Sequence, residues 1–449
     1  MRVIQVGAPG DGPQARRTRD AAGETIENLP NSPSLETSES GQIKRGGAVM
    51  RVLFASWAQT GHYQPLVPLG WALRAAGHEV AVLTNPSFVP TVAGSGLTAV
   101  PVGPDINVTR ELRERFAAVS ATQVTTQTTP AAGRERAGER ARDLPHNQMG
   151  RVTMSSVLEG CLAMLDDALE FTACWGPDLV VFEPTGFLGP ALATLRRLPS
   201  ARVLWAPDYT VGMQAVTNRL FGAEFERFGL VDVDLTGTVT LDPCPPRMQV
   251  RDDVRRQPMR YIGYPGPRPP APHTLTVRGD RPRVGVTWGT TTHNLRLHDS
   301  YLAPDMLQAL SRLDADIVLA VDAAELPEFG RLPPNVIHAG PVPLRDVLPA
   351  CDAVVHQAGG GTMMTSVIAG PPQLVVPSLD DTTFNAECLA ATGAGIHLKP
   401  GTDAEEILRC TELLLTDLAY GEQAGRLRAE AVAMPSPSDV VPVLTGLTA

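Results

Sequence analysis

Twice along this chain, short and continuously apolar runs alternate with amphipathic helical stretches. A Pro/Gly-rich passage, YIGYPGPRPPAPHTLTVRGDRP (261–282), parts the two series. Few folds accept that rhythm. Strands that are apolar throughout must be covered on both faces, and the helices of βαβ crossovers do this, so each series specifies a parallel sheet. In the first half RVLFAS (51–56), VAVLT (80–84), DLVVFEP (178–184) and RVLWAPD (202–208) read as strands. PLVPLGWALRAAGHEV between them carries Leu66, Leu69, Leu73 and Ala76 on one helical face. In the second half RVGVTWG (283–289), DIVLAVD (316–322), AVVHQ (353–357) and QLVVP (373–377) repeat the pattern.

The fold class expected is α/β, two doubly wound Rossmann-like domains facing across a cleft. Ligands should sit at the strand ends that open into it. Composition sets the boundaries. Residues 1–48 are polar and rich in Ser, Glu, Pro and Gly, and are expected to form a disordered tail. Residues 50–258 form the N-terminal domain, 259–282 the linker and 283–430 the C-terminal domain, with 431–449 a tail that returns to the first domain. The polar stretch 124–143 is expected to be a mobile surface loop.

A net charge of -10 argues against nucleic acid as a partner, since phosphate backbones need a basic face. Six scattered cysteines without a CxxC pair argue against a disulfide framework or structural zinc and suit a reducing, cytoplasmic setting. No apolar run reaches the ~20 residues of a membrane helix.

HQAGGGT (356–362) follows directly on the strand AVV. Bare glycines at a strand-to-helix turn let the backbone approach a ligand, and a helix opening at Thr362 would offer free amides to an anion. His356 could donate to a phosphate oxygen without a permanent charge. Neither a P-loop lysine nor a GxGxxG fingerprint is present. Taken alone, such a loop serves packing as readily as it serves a ligand.

Its surroundings decide. HQAGGGTMMTSVIAGPPQLVVPSLDDTTFNAECLAATGAG resembles the second-domain signature of GT-B glycosyltransferases of natural-product pathways, in particular actinobacterial enzymes that attach deoxysugars to polyketide-type aglycones. The likeness continues through NVIHAGPVPLRDVLPACDAVV, GHYQPLVPLGWALRAAGHEV and PDLVVFEP, covering nearly everything from Met50 onward. It implies that His356 and the Gly359–Gly360–Gly361–Thr362 turn hold the nucleotide diphosphate. Gly289 and Thr290 form the other phosphate-side turn, and Val342 and Pro343 cradle the base. Gln357 stands where the family often has a second His, and Ala358 where it often has Gly. Met364 occupies the position of a ribose-binding glutamate in the plant branch, which favours a 2′-deoxy nucleotide and hence a dTDP-sugar. Asp381 matches an acceptor of sugar hydroxyls, while Thr382 replaces a Gln, which suits a deoxygenated or amino sugar.

Inverting glycosyl transfer needs a base for the acceptor's proton, and a histidine suits that at neutral pH. His62, in QTGHYQP after the first strand, faces the expected cleft; the resemblance places the catalytic base there, with Glu183 as its partner acid. His78, in the helix-to-strand turn at the opposite edge, reads as structural. Trp57, Phe187 and Met213 are candidates for an apolar acceptor pocket. No metal and no cofactor beyond the dTDP-sugar is expected, because the amide-lined turn can itself carry the charge of the leaving diphosphate. The partners expected are that donor and a lipophilic aglycone, with a homodimer and an activator protein left open. Two other readings stand beside transfer: a GT-B sugar-nucleotide 2-epimerase, and a non-catalytic nucleotide-sugar-binding helper.

Overall fold

The computed structural model of the protein describes residues 49–126, 148–211, 233–295 and 301–448, together with 222, 226, 229, 230 and 297. The proposed tail 1–48, most of the loop at 124–143 and Met213 lie outside these residues. Residues 124–126 close a helix, Val108–Thr126, in place of the expected loop.

The first half is a seven-stranded sheet. Its strands are β1 (Arg51–Ala55), β2 (Glu79–Thr84), β3 (Thr98–Pro101), β4 (Leu179–Phe182), β5 (Ser200–Val203), β6 (Val239–Asp242) and β7 (Arg256–Pro258). They lie in the order β3-β2-β1-β4-β5-β6-β7, every pair parallel. The second half has six: β8 (Arg283–Val286), β9 (Asp316–Leu319), β10 (Val336–Ala339), β11 (Ala353–His356), β12 (Gln373–Val375) and β13 (Gly395–His397). Their order is β10-β9-β8-β11-β12-β13, again all parallel. Both orders reverse beside the first strand of their half. That switch point leaves a crevice outside the carboxyl ends of the strands.

The continuous apolar runs are explained by burial on both faces. Val52 and Phe54 of β1 join one core layer with Leu69 and Leu73. Leu53 and Ala55 point the other way, into a second layer with Leu165 and Leu192. The helix Pro437–Thr445 crosses back to the first half and buries Val440, Val441 and Leu444 against that first layer. The linker touches both halves: Tyr264 Oη donates to the Gly94 carbonyl and Tyr261 Oη to that of Gly361. Arg113 spans the cleft at another point, its Nε and Nη2 donating to the Asn294 carbonyl at 3.0 and 2.7 Å.

Candidate active site

A cavity of about 750 Å³ runs between the halves at the carboxyl ends of both sheets. On the first-half side its wall includes His62, in the short helix Thr60–Tyr63 that follows β1. The imidazole is held edge-on between two indoles, Trp57 and Trp205, each with its ring centroid 4.9 Å away. Its Nδ1 lies 2.9 Å from Thr185 Oγ1 and 3.4 Å from Glu183 Oε2. No bond within the described residues engages Nε2.

Glu183 follows β4 and is fully buried. Burial would raise its pKa, but the charge and hydrogen bond of His62, with the hydrogen bonds of Thr185, outweigh it and hold the carboxyl below the usual value. Trp57 N–H donates to Oε1 at 3.1 Å, and Thr185 N–H to Oε2 at 2.8 Å. The long glutamate arm thus folds back over its own turn. Gly186 leaves the room: a Cβ there would stand 2.9 Å from Oε1.

The opposite wall is built from backbone. The helix Gly360–Ala369 begins two residues earlier than expected, with Gly359 as its N-cap. Met363 makes the first intrahelical bond, to the Gly359 carbonyl at 2.9 Å. The amides of Gly360, Gly361 and Thr362 therefore precede the helix's own bonding, with the helix dipole behind them, an arrangement suited to an anion. Gly289 and Thr290 line the cavity beside them. Gly289 has φ +69, and a Cβ there would sit 2.5 Å from Gln357 Nε2. Gln357 thus fills the gap between the two turns.

His356 does not reach the cavity, contrary to expectation. It is fully buried, with Nε2 2.8 Å from Gln373 Oε1 and Nδ1 accepting the Ala358 N–H at 3.0 Å. Both nitrogens are committed to the protein, and burial pushes the imidazole down to about 4, so it stays neutral. Its role is to shape the turn. Ala358 has φ +64, a left-handed conformation costing an L-residue roughly 1–2 kcal/mol. Its N–H is held by His356 and its carbonyl by Asn385 Nδ2 at 3.0 Å. The glycine-favouring bend survives without glycine because both ends of that residue are clamped.

Met364 is a second correction. It is fully buried in a cluster with Met363, Val367 and Ala206, so it does not meet a ribose and says nothing about the base sugar. Thr365, one residue on, lines the cavity instead. Phe187 is a third: it packs beneath the sheet with Leu53 and Ala191 and does not line the cavity. Val342 lines the cavity, whereas Pro343 is the N-cap of the short helix Leu344–Val347 and only its neighbours reach the wall. Asp381 and Thr382 both line it, but the Thr382 hydroxyl caps its own helix through the Leu379 N–H and carbonyl. Asp381 faces His62 from the other half; burial raises its pKa against the pull of its helix N–H bonds and of His62. His78 accepts the Met50 N–H at 3.2 Å, at the far end of the sheet.

Thr185, Trp205 and Tyr209 escaped the sequence reading. All three follow the carboxyl ends of β4 or β5, the same signal that marked His62. Among the described residues no group of three or more His, Cys, Asp or Glu is placed to hold a metal ion.

Two facing all-parallel sheets with a glycine-rich turn on one side and a histidine on the other have the GT-B glycosyltransferase architecture. Residues 71–289 match the N-terminal domain of the Erythromycin biosynthesis protein CIII-like family, and residues 304–447 match its C-terminal domain. The chain is 34% identical to the 10-deoxymethynolide desosaminyltransferase of Streptomyces venezuelae over 89% of its own length and 97% of that protein's. It is 35% identical to the tylactone mycaminosyltransferase of Streptomyces fradiae, over 90% and 94%. Among solved structures it resembles spinosyn forosaminyltransferase SpnP (TM-score 0.71, 30% identity, 89% of this chain and 100% of that one). It also resembles spinosyn rhamnosyltransferase SpnG complexed with thymidine diphosphate (TM-score 0.71, 28% identity, 88% and 100%). The chain belongs to the EryCIII-like family of glycosyltransferases.

Proposed function

We propose that this glycosyltransferase moves a deoxysugar, with inversion, from a dTDP-sugar to a hydroxyl of a lipophilic polyketide-type aglycone. His62 Nε2 takes the acceptor's proton as its oxygen attacks the anomeric carbon, and the bond from that carbon to the diphosphate oxygen breaks. The leaving charge is met by the Gly360, Gly361 and Thr362 amides, fixed dipoles that need no reorganisation. The observation carrying this most directly is His62, with Nδ1 anchored and Nε2 unengaged, on the cavity wall across from those amides. The relatives support the substrate classes, being named for transfer of desosamine and mycaminose to polyketide lactones. Trp57, Trp205 and Tyr209 give the acceptor an aromatic wall. No cofactor beyond the sugar nucleotide is required by this chemistry, and six unpaired cysteines fit work in the cytoplasm.

The test is a mass-spectrometric screen of dTDP-deoxysugars against hydrophobic aglycones, with anomeric configuration read by proton NMR. A glycoside of inverted configuration, dependent on both substrates, is expected. Turnover of the sugar nucleotide without acceptor would instead indicate an epimerase.

A further inference from the structure

The contact between the base and its carboxylate is indirect. His62 Nδ1 is 3.4 Å from Glu183 Oε2, a long separation, but only 2.9 Å from Thr185 Oγ1. That same hydroxyl lies 2.8 Å from Glu183 Oε2 and 3.1 Å from Oε1. We propose that Thr185 is a positioning residue, whose hydroxyl donates to Glu183 and accepts from His62 Nδ1–H, thereby fixing the tautomer that leaves Nε2 as the base. The proposal rests on His62 being the base in glycosyl transfer.

The direction of the chain follows from hydrogen counting. An ionised carboxylate only accepts, so the single hydroxyl proton of Thr185 must point at Glu183. The hydroxyl oxygen then presents lone pairs to His62, and Nδ1 must carry the ring proton. The opposite tautomer would aim the threonine proton at His62 and leave two oxygens facing each other at 2.8 Å. Thr185 is buried, and its own N–H is also bound to Glu183, so its rotamer is held at both ends. During transfer the acceptor's proton passes to Nε2, while the proton on Nδ1 and the one on Thr185 Oγ1 remain in place. The imidazolium's charge is felt by Glu183 through the hydroxyl.

The charged and titratable groups facing His62 are Glu183 beneath it and Asp381 from the other half, with Tyr209 near both carboxylates. A substitution at 185 leaves all three in place, and of the bonds to Glu183 it removes only the hydroxyl's, the residue 185 N–H still donating to Oε2. Thr185→Val removes the hydroxyl while keeping the shape, and Thr185→Ser keeps the hydroxyl. For the valine variant kcat should fall about 10- to 100-fold, less than the ~10²–10⁴ lost with the base itself, with donor KM unchanged. The acid limb of its pH–rate profile should move to lower pH, because the imidazolium loses an acceptor. Serine should restore both. Nitrogen-15 NMR of wild-type His62 should show Nδ1 protonated and Nε2 bare at neutral pH.

A wild-type His62 protonated on Nε2 would overturn the proposal without any variant. So would a valine variant with wild-type kcat and acid limb, or a serine variant as impaired as valine. His62→Ala run alongside separates the two levels: if it too keeps full activity, the base assignment fails, whereas an inactive alanine variant beside an unimpaired valine variant defeats only the role of Thr185.

Discussion

The two walls of the cleft use the same residue type in opposite ways. In the first half, backbone N–H groups of Trp57 and Thr185 fix a buried carboxylate, and the carboxylate in turn serves an imidazole that faces the cavity. In the second half an imidazole is itself buried, and it fixes backbone that faces the cavity. On the mechanism proposed above, the difference follows from what each wall must offer. A base must exchange a proton and so needs a side chain with an unengaged lone pair. A diphosphate spread over several oxygens is better met by several fixed dipoles. A histidine beyond or at the carboxyl end of a strand is thus, on that mechanism, a reagent on one side and a scaffold on the other.

The sharpest way to break this contrast is His62→Ala. Transfer should fall about 10²- to 10⁴-fold, while dTDP affinity measured by calorimetry stays within error of wild type. Unchanged transfer would remove the reagent from the first wall.

The buried imidazole makes its own pH signature. Its folded pKa, about 4, lies below the ordinary 6.5, so the unfolded chain takes up the proton first. Stability from this group is full above about 6.5 and declines as pH falls toward about 4, by roughly 3 kcal/mol at ~1.4 kcal/mol per unit. Urea midpoints between pH 7 and 4.5 should show that decline in the wild type and a flatter one in His356→Gln. A His356→Gln slope equal to wild type would mean the imidazole is not the source.

Gly360→Ala probes the place where the walls meet. A Cβ at 360 would stand 2.6 Å from Trp205 Cδ1 and 2.9 Å from Ala206 Cβ. Overpacking of this kind costs about 1–3 kcal/mol, so donor affinity should drop on the order of tenfold or more, with the fold retained by circular dichroism. The smallest effect is expected from Ala358→Gly. Relieving a left-handed alanine should raise stability by about 1 kcal/mol, read as a higher urea midpoint at unchanged slope.

Much of this was legible in the sequence where burial is two-sided. The expected strands at 51–56, 80–84, 178–184 and 316–322 coincide with β1, β2, β4 and β9. The strands β3, β6, β7, β10 and β13 lie outside the expected set: four are edges, where three or four residues carry little apolar signal, and the interior β6 is the short mixed run VTLD. The long helix Gln148–Trp175 was also missed. His62 and Glu183 both follow strands at the cleft end, and the family resemblance singles them out there; the structure brings the two side chains within 3.4 Å of each other. His356 was misplaced for a related reason. In a sheet covered on both faces, apolarity does not say which side a strand-end residue takes, and the whole of β11 is buried. Met364 erred by helical phase: Met363, Met364 and Val367 form the core-facing stripe, opposite Gly361, Thr362 and Thr365.

Trp205 touches His62 with one edge and fills the space that a side chain at 360 would need. Recombining halves from different relatives to obtain new sugar–aglycone combinations will therefore depend on this junction, beside the Arg113 and C-terminal helix contacts that also join them. A second half bearing anything bulkier than hydrogen at that place will demand a smaller ring from its new companion, and shrinking the ring will loosen the His62 imidazole it supports. Chimeras should be screened first as matched pairs at these two positions.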